Sequence, residues 1–155
     1  MPSVYVETTV ISYLAARPSS DVLLAGHQKA TSLWWENAKQ AYDLYISEAV
    51  WSEILSGDPD AAAKRIELMS DVPILMHSDD VDELIREYDH RLGLEGRAKA
   101  DLPHFAYAVS YEMDYLVTWN LKHIASGKTI SRLQEANEVL GRRSPIILTP
   151  ESLME

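Results

Sequence analysis

Four polar segments, each following a short apolar run and leading into a helical one, constrain this chain most. They are V-Y-V-E-T-T at 4–9, S-E-A-V-W-S-E at 47–53, K-A-D-L-P-H at 99–104 and L-V-T-W-N at 116–120. Strands alternating with helices pack as a mainly parallel sheet covered on both faces. In such sheets the ends where strands hand over to helices share one edge, and ligands bind there. Glu7, Glu53, Asp101 and Asn120 are therefore expected at that edge. Two carboxylates about 4 Å apart repel by roughly 4 kcal/mol at an effective dielectric of 20, so such a cluster calls for a proton or a divalent cation.

The order of elements follows from periodicity and punctuation. Residues 3–6 suit a short buried strand, with Thr8 or Thr9 capping a helix through Ile11 and Leu14. A long helix is predicted over about 21–43, a strand at Leu44–Ile46, a helix capped by Ser47, and another started by Pro59. Pro73–Met76 reads as the third strand, and Ser78 caps a helix to about Leu92 whose first-turn acids meet the positive end of its dipole. Leu92–Gly96 breaks the pattern, and Asp101 opens a helix in which Pro103 falls within the unbonded first turn. A strand at Tyr115–Thr118, a helix around 131–140 ending at Gly141, and a strand at Pro145–Leu148 complete the chain. The expected fold is a three-layer α/β/α sandwich with a central, mainly parallel sheet of four to five strands, residues 1–155 forming one domain.

Composition narrows the chemistry. With no cysteine, disulfides and thiolate zinc sites are excluded and a reducing compartment is permitted but not proved; the expected location is cytoplasmic. Met1–Val4 carries no basic segment followed by an apolar one, and apolar runs are short, so neither an export leader nor a membrane span is expected. A net charge of −10 argues against holding nucleic acid by bulk electrostatics, though not against local basic groups. Arg91, Arg97 and Lys99 precede Asp101, and Lys122, Lys128 and Arg132 follow Asn120. Ordinary solvated surface explains them equally well.

The histidines at 27, 77, 90, 104 and 123 form no H-E-x-x-H pair, and no glycine-rich phosphate loop, G-x-S-x-G or G-x-G-x-x-G is present. Carboxylates and an amide oxygen are hard ligands suited to Mg²⁺ or Mn²⁺, ions that activate water and stabilise a phosphodiester's leaving oxygen.

Taken together, the four segments resemble PIN domains. V-Y-V-E-T-T-V-I-S-Y-L is similar to the family's opening, with Glu7-Thr8-Thr9 where an aspartate followed by Thr-Ser is usual. S-E-A-V-W-S-E-I-L-S-G resembles the second motif and puts its acid on Glu53. A-D-L-P-H-F-A-Y-A is similar to the Asp-x-x-His-x-Ala segment, with the third acid at Asp101, and D-Y-L-V-T-W-N-L-K-H-I resembles the fourth, with Thr118 and Asn120. The resemblance spans nearly the whole chain, and VapC-like toxins of type II toxin-antitoxin pairs match best. It implies an endoribonuclease using Mg²⁺ or Mn²⁺, held by Glu7, Glu53, Asp101 and Asn120. Thr9 and Thr118 would support these groups, and Arg97, Lys99 and Lys122 would orient RNA. It also implies a homodimer and a small antitoxin partner. Two positions depart from the family pattern: Glu7 is one methylene longer than aspartate, and His123 stands where many relatives carry an acid.

Each residue has a structural alternative. Asp101 and Asn120 suit helix caps, Glu53 suits a solvated helix face, and Thr9 and Thr118 suit local hydroxyl bonding. His104 is expected to pack or cap rather than ligate. Trp119 could stack on a base, although core packing is the simpler expectation. Trp34 and Trp35 point about 100° apart on one helix, so one of them is free to cover a partner surface. Two other functions remain open: an inactive PIN-like binding module, and a metal-dependent phosphatase on a small substrate.

Overall fold

The computed structural model describes residues 1–154. Strands β1 (Ser3–Val6), β2 (Asp43–Ser47), β3 (Ile74–Leu75), β4 (Tyr115–Val117) and β5 (Ile146–Leu148) form one sheet in the order β3-β2-β1-β4-β5, with every neighbouring pair parallel. Successive side chains of a strand point to opposite faces, and Val4, Tyr5 and Val6 are all 0% exposed. Both faces of the sheet are therefore covered, as a parallel sheet requires.

The helices that cover it are α1 (Thr8–Ala15), α2 (Val22–Ala41), α3 (Glu48–Ile54), α4 (Pro59–Leu68), α5 (Asp79–Leu92), α6 (Leu102–Ser110), α7 (Gly127–Leu140) and α8 (Pro150–Leu153). One group packs around α1, with α2, α3 and α4, and a second around α5, with α6 and α7. Most starts follow local chemistry: Ser47, Ser78 and Ser126 each accept a backbone N–H of the first turn, and Asp58 does so with Pro59 opening α4. Gly93 and Gly141 take the left-handed conformation that ends α5 and α7. No helix among the described residues is long and apolar enough to cross a membrane.

Four local expectations need correction. Neither Thr8 nor Thr9 caps α1: Glu7 occupies the cap position without a side-chain cap bond, because both threonine hydroxyls are drawn to carboxylates instead. Asp101 ends a 3₁₀ helix, Gly96–Asp101, and α6 opens at Leu102, one residue later than expected. Helix α7 begins at Gly127, not near 131, because the Ser126 cap fixes its start. A final helical turn, α8, was not expected; Thr149 caps it and Pro150 opens it.

Trp34 is buried in the core, whereas Trp35 is half-buried in a groove with Leu14, Leu68 and Lys39, the Lys39 ammonium 5.3 Å from its ring centroid. Trp119 packs inward from the end of β4. Its ring lies 4.1 Å from that of His27 and 5.9 Å from that of Tyr13, nearly parallel to both, and its Nε1–H donates to the Thr31 hydroxyl at 2.7 Å.

Candidate active site

Parallel pairing aligns the ends of β1 and β4, with Val6 opposite Val117 and the Glu7 N–H donating to the Val117 carbonyl. The next residues on both strands then meet. Glu7 is only 3% exposed, and its Oε1 accepts the Thr9 hydroxyl at 2.5 Å and the Thr118 hydroxyl at 2.6 Å. Each hydroxyl also accepts a backbone N–H, Thr9 from Trp119 and Thr118 from Asn120. A hydroxyl has one proton, so these acceptances direct both protons to Glu7. The carboxylate is thus fixed in orientation from the first turn of α1 and from the end of β4 at once.

Thr118→Val removes one donor to Glu7 and the acceptor for the Asn120 N–H at nearly constant volume. Leaving a buried polar group unpaired costs about 1–3 kcal/mol, to be read from the denaturant midpoint.

Asp101 is the residue before α6, and its side chain makes no cap bond. Its Oδ2 accepts the Asn120 amide N–H at 3.3 Å, while the Asn120 Oδ1 accepts the His123 backbone N–H at 2.9 Å. Burial pushes the Asp101 carboxyl above its ordinary range and the charges of Glu7 and Glu53 add to this, against the opposing pull of His104 and His123. Three acids from separate elements therefore feel one another at this edge.

Glu53 reaches the edge from α3. Its Oε1 accepts the Thr8 hydroxyl at 2.6 Å and lies 2.8 Å from His104 Nε2. That second contact has ion-pair distance but not hydrogen-bond alignment. Burial acts to raise the Glu53 carboxyl, but His104 and Thr8 outweigh it and the net direction is down. His104 itself is fully buried: desolvation pushes it down, and Glu53, Glu7 and Asp101 more than reverse this.

The second oxygen of each acid, Glu7 Oε2, Glu53 Oε2 and Asp101 Oδ1, has no hydrogen-bond partner among the described residues, and no lysine or arginine pairs with any of them. The described residues contain no ready-made group of three metal-ligating acid, histidine or cysteine side chains. Of the basic residues considered for RNA, Lys99 pairs with Asp89 at 3.3 Å, and Arg97 and Lys122 are exposed. Three contributors were not singled out from the sequence: Tyr5, Ser47 and the hydroxyl of Thr8 as a partner of Glu53. A tyrosine in an otherwise apolar central strand was the available clue.

No family model matches the chain, and no curated protein matches it significantly. Solved structures do. The chain superposes on VapC20 of Mycobacterium tuberculosis, described as a sarcin-ricin loop cleaving toxin, with a TM-score of 0.56 at 20% identity, over 80% of this chain and 95% of that one. The chain has the VapC fold. It also superposes on VapBC2 of Rickettsia felis, solved bound to a DNA fragment from its promoter, with a TM-score of 0.57 at 17% identity, over 81% and 94% of the two chains. Within the VapC fold, the edge holding Glu7, Asp101 and Asn120 lies where the parallel strands end, the position expected of a ligand crevice.

Proposed function

We propose that this protein is a divalent-metal-dependent endoribonuclease of the VapC kind, acting in the cytoplasm and held in check by a small antitoxin. The observation that carries this is the convergence of Glu7, Glu53 and Asp101 with no lysine or arginine paired to them among the described residues, only His104 and His123 opposing their charge. Their free oxygens are hard donors that fit Mg²⁺ or Mn²⁺. Glu7, Glu53 and Asp101 would hold such an ion, which would supply charge neutralisation and activation of water.

This chain's residues do the rest. Thr9 and Thr118 hold Glu7 in one orientation, so little reorganisation is needed when charge develops. The Asn120 amide holds one oxygen of Asp101 and leaves the other without a hydrogen-bond partner among the described residues. Arg97 and Lys122, exposed nearby in sequence, would contact RNA phosphates, giving affinity that falls as salt rises. The likeness to VapBC2 supports an antitoxin partner, and a homodimer is part of the same reading.

A second reading, a binding module without catalysis, is favoured by Asn120, whose amide oxygen is already engaged by the His123 N–H, and by the lack of a ready three-ligand group among the described residues. The substrate class separates the readings. Purified, partner-free protein is given RNA, single-stranded DNA and p-nitrophenyl phosphate in parallel with Mn²⁺. Cleavage of RNA alone supports the proposal, hydrolysis of the small ester alone selects a phosphatase, and inertness toward all three selects the binding module.

The pH dependence has a definite sign. Asp101 must be ionised to act, and its folded carboxyl is raised by burial and by Glu7 and Glu53. In the metal-free protein Asp101 should therefore take up its proton above the ordinary aspartate range, and Mn²⁺, which must displace that proton, should bind more weakly as pH falls through that window. Mn²⁺ affinity that is flat across acid pH would contradict the role given to Asp101.

A further inference from the structure

Tyr5, Ser47 and His104 form a buried polar chain that the metal chemistry above does not use. All three are 0% exposed. The Tyr5 hydroxyl lies 2.7 Å from Ser47 Oγ and 2.7 Å from His104 Nδ1, and the far side of the imidazole, Nε2, lies 2.8 Å from Glu53 Oε1. Ser47 Oγ also accepts the Val50 N–H that starts α3, the helix carrying Glu53. The chain therefore grips Glu53 twice, once through its helix cap and once through its carboxylate.

A buried imidazole usually spends both nitrogens on the core. Here one nitrogen reaches a tyrosine of the central strand and the other a side chain that is 42% exposed at the rim of the site. Nε2 faces a carboxylate, which only accepts, so it carries a proton whether the ring is neutral or charged. If neutral, Nδ1 accepts from Tyr5, and if charged it donates to the tyrosine oxygen. Either state leaves the contact with Glu53 in place. His104 also lies three residues after Asp101, so the same helical turn sets the position of both acids.

We infer that His104, braced by Tyr5 and Ser47, is a positioning residue that fixes Glu53 relative to Asp101 so that the two carboxylates hold one cation. This rests on the proposed metal site and adds a residue to it. With Glu53 Oε1 shared between Thr8 and His104, the remaining oxygen is the one left without a hydrogen-bond partner among the described residues. Without the imidazole, an exposed glutamate of this length samples several rotamers, and preorganisation is lost.

The test is a double-substitution cycle on the full chain with His104→Gln, Glu53→Gln and the pair, plus Tyr5→Phe as a milder disturbance of the same chain. Mn²⁺ affinity is measured by calorimetry without RNA, RNA cleavage separately, and thermal melting alongside. His104→Gln should weaken Mn²⁺ binding by about tenfold in the wild-type background and leave it unchanged when Glu53 is already glutamine. Tyr5→Phe should give a smaller effect of the same sign. Equal losses in both backgrounds would overturn the inference, as would a lowered Tm with unchanged Mn²⁺ affinity in folded His104→Gln. If that variant does not fold, Tyr5→Phe with and without Glu53→Gln decides by the same criteria. Coupled Mn²⁺ affinities in a protein that cuts no RNA would uphold the role of His104 and sink the ribonuclease reading. Additive affinities in a protein that does cut RNA would do the reverse, and wild type that binds no Mn²⁺ would remove both.

Discussion

Trp119→Ala is expected to lower stability by about 3–5 kcal/mol, the range for deleting a large aromatic side chain from a core. Trp119 is 6% exposed and stacks on His27 and Tyr13, so its removal uncovers both rings and leaves a cavity beside the end of β4. The hydrogen-bond loss is secondary: the Thr31 hydroxyl keeps its donation to the His27 carbonyl when the indole is gone. For a domain of this size each kcal/mol moves Tm by roughly 2–4 °C, so a fall of about 10 °C is expected. Trp119→Phe, which keeps most of the packing and loses the Nε1 donor, should cost about 1 kcal/mol. Below both melting temperatures the site should still work, because Thr9 is held by the Trp119 backbone N–H and not by its ring. Near-normal stability with weakened RNA binding in Trp119→Ala would instead place the indole against a base.

Asp101→Asn carries the largest expected effect on function. The substitution keeps size and one oxygen while removing the charge, and loss of one preorganised electrostatic group at a reacting centre commonly costs about 100- to 1,000-fold in turnover. Stability should move the other way. A carboxyl raised in the folded state binds its proton more tightly there than in the unfolded chain, so its contribution falls as pH rises from the unfolded to the folded pKa. Above that window the charged acid opposes folding, and asparagine relieves it. The variant should therefore melt at the same temperature or a little higher at neutral pH, with the difference shrinking in acid. A stability gain paired with a loss of activity is the expected mark of a residue kept for chemistry. A variant that cuts RNA at the wild-type rate would remove Asp101 from the site.

Much of the fold could be read from local pattern. The run of valines and tyrosine before Glu7, the serines before α3 and α5 and the proline opening α4 each specify their element by short-range chemistry. What escaped the sequence depends on partners far along the chain. The Thr8 and Thr9 hydroxyls look like caps until Glu53 and the end of β4 are brought beside them, since an ionised acceptor attracts a hydroxyl more strongly than a backbone N–H. Tyr5, Ser47 and His104 lie 42 and 99 residues apart along the chain from the tyrosine, so no window of sequence displays their chain. The strand order β3-β2-β1-β4-β5 is likewise a tertiary choice. Among the candidate site residues Glu7 was conspicuous, because an acid directly after an apolar strand serves no local purpose.

The most direct measurement is the initial rate of RNA cleavage by antitoxin-free wild type as Mn²⁺ is titrated in, stripped with chelator and restored, with Asp101→Asn run beside it. The account predicts a rate that rises and saturates with Mn²⁺, vanishes with chelator, returns on re-addition, and stays about 100- to 1,000-fold lower in the variant. Cleavage that persists in chelator at an unchanged rate, or that the variant matches at every Mn²⁺ concentration, would contradict it.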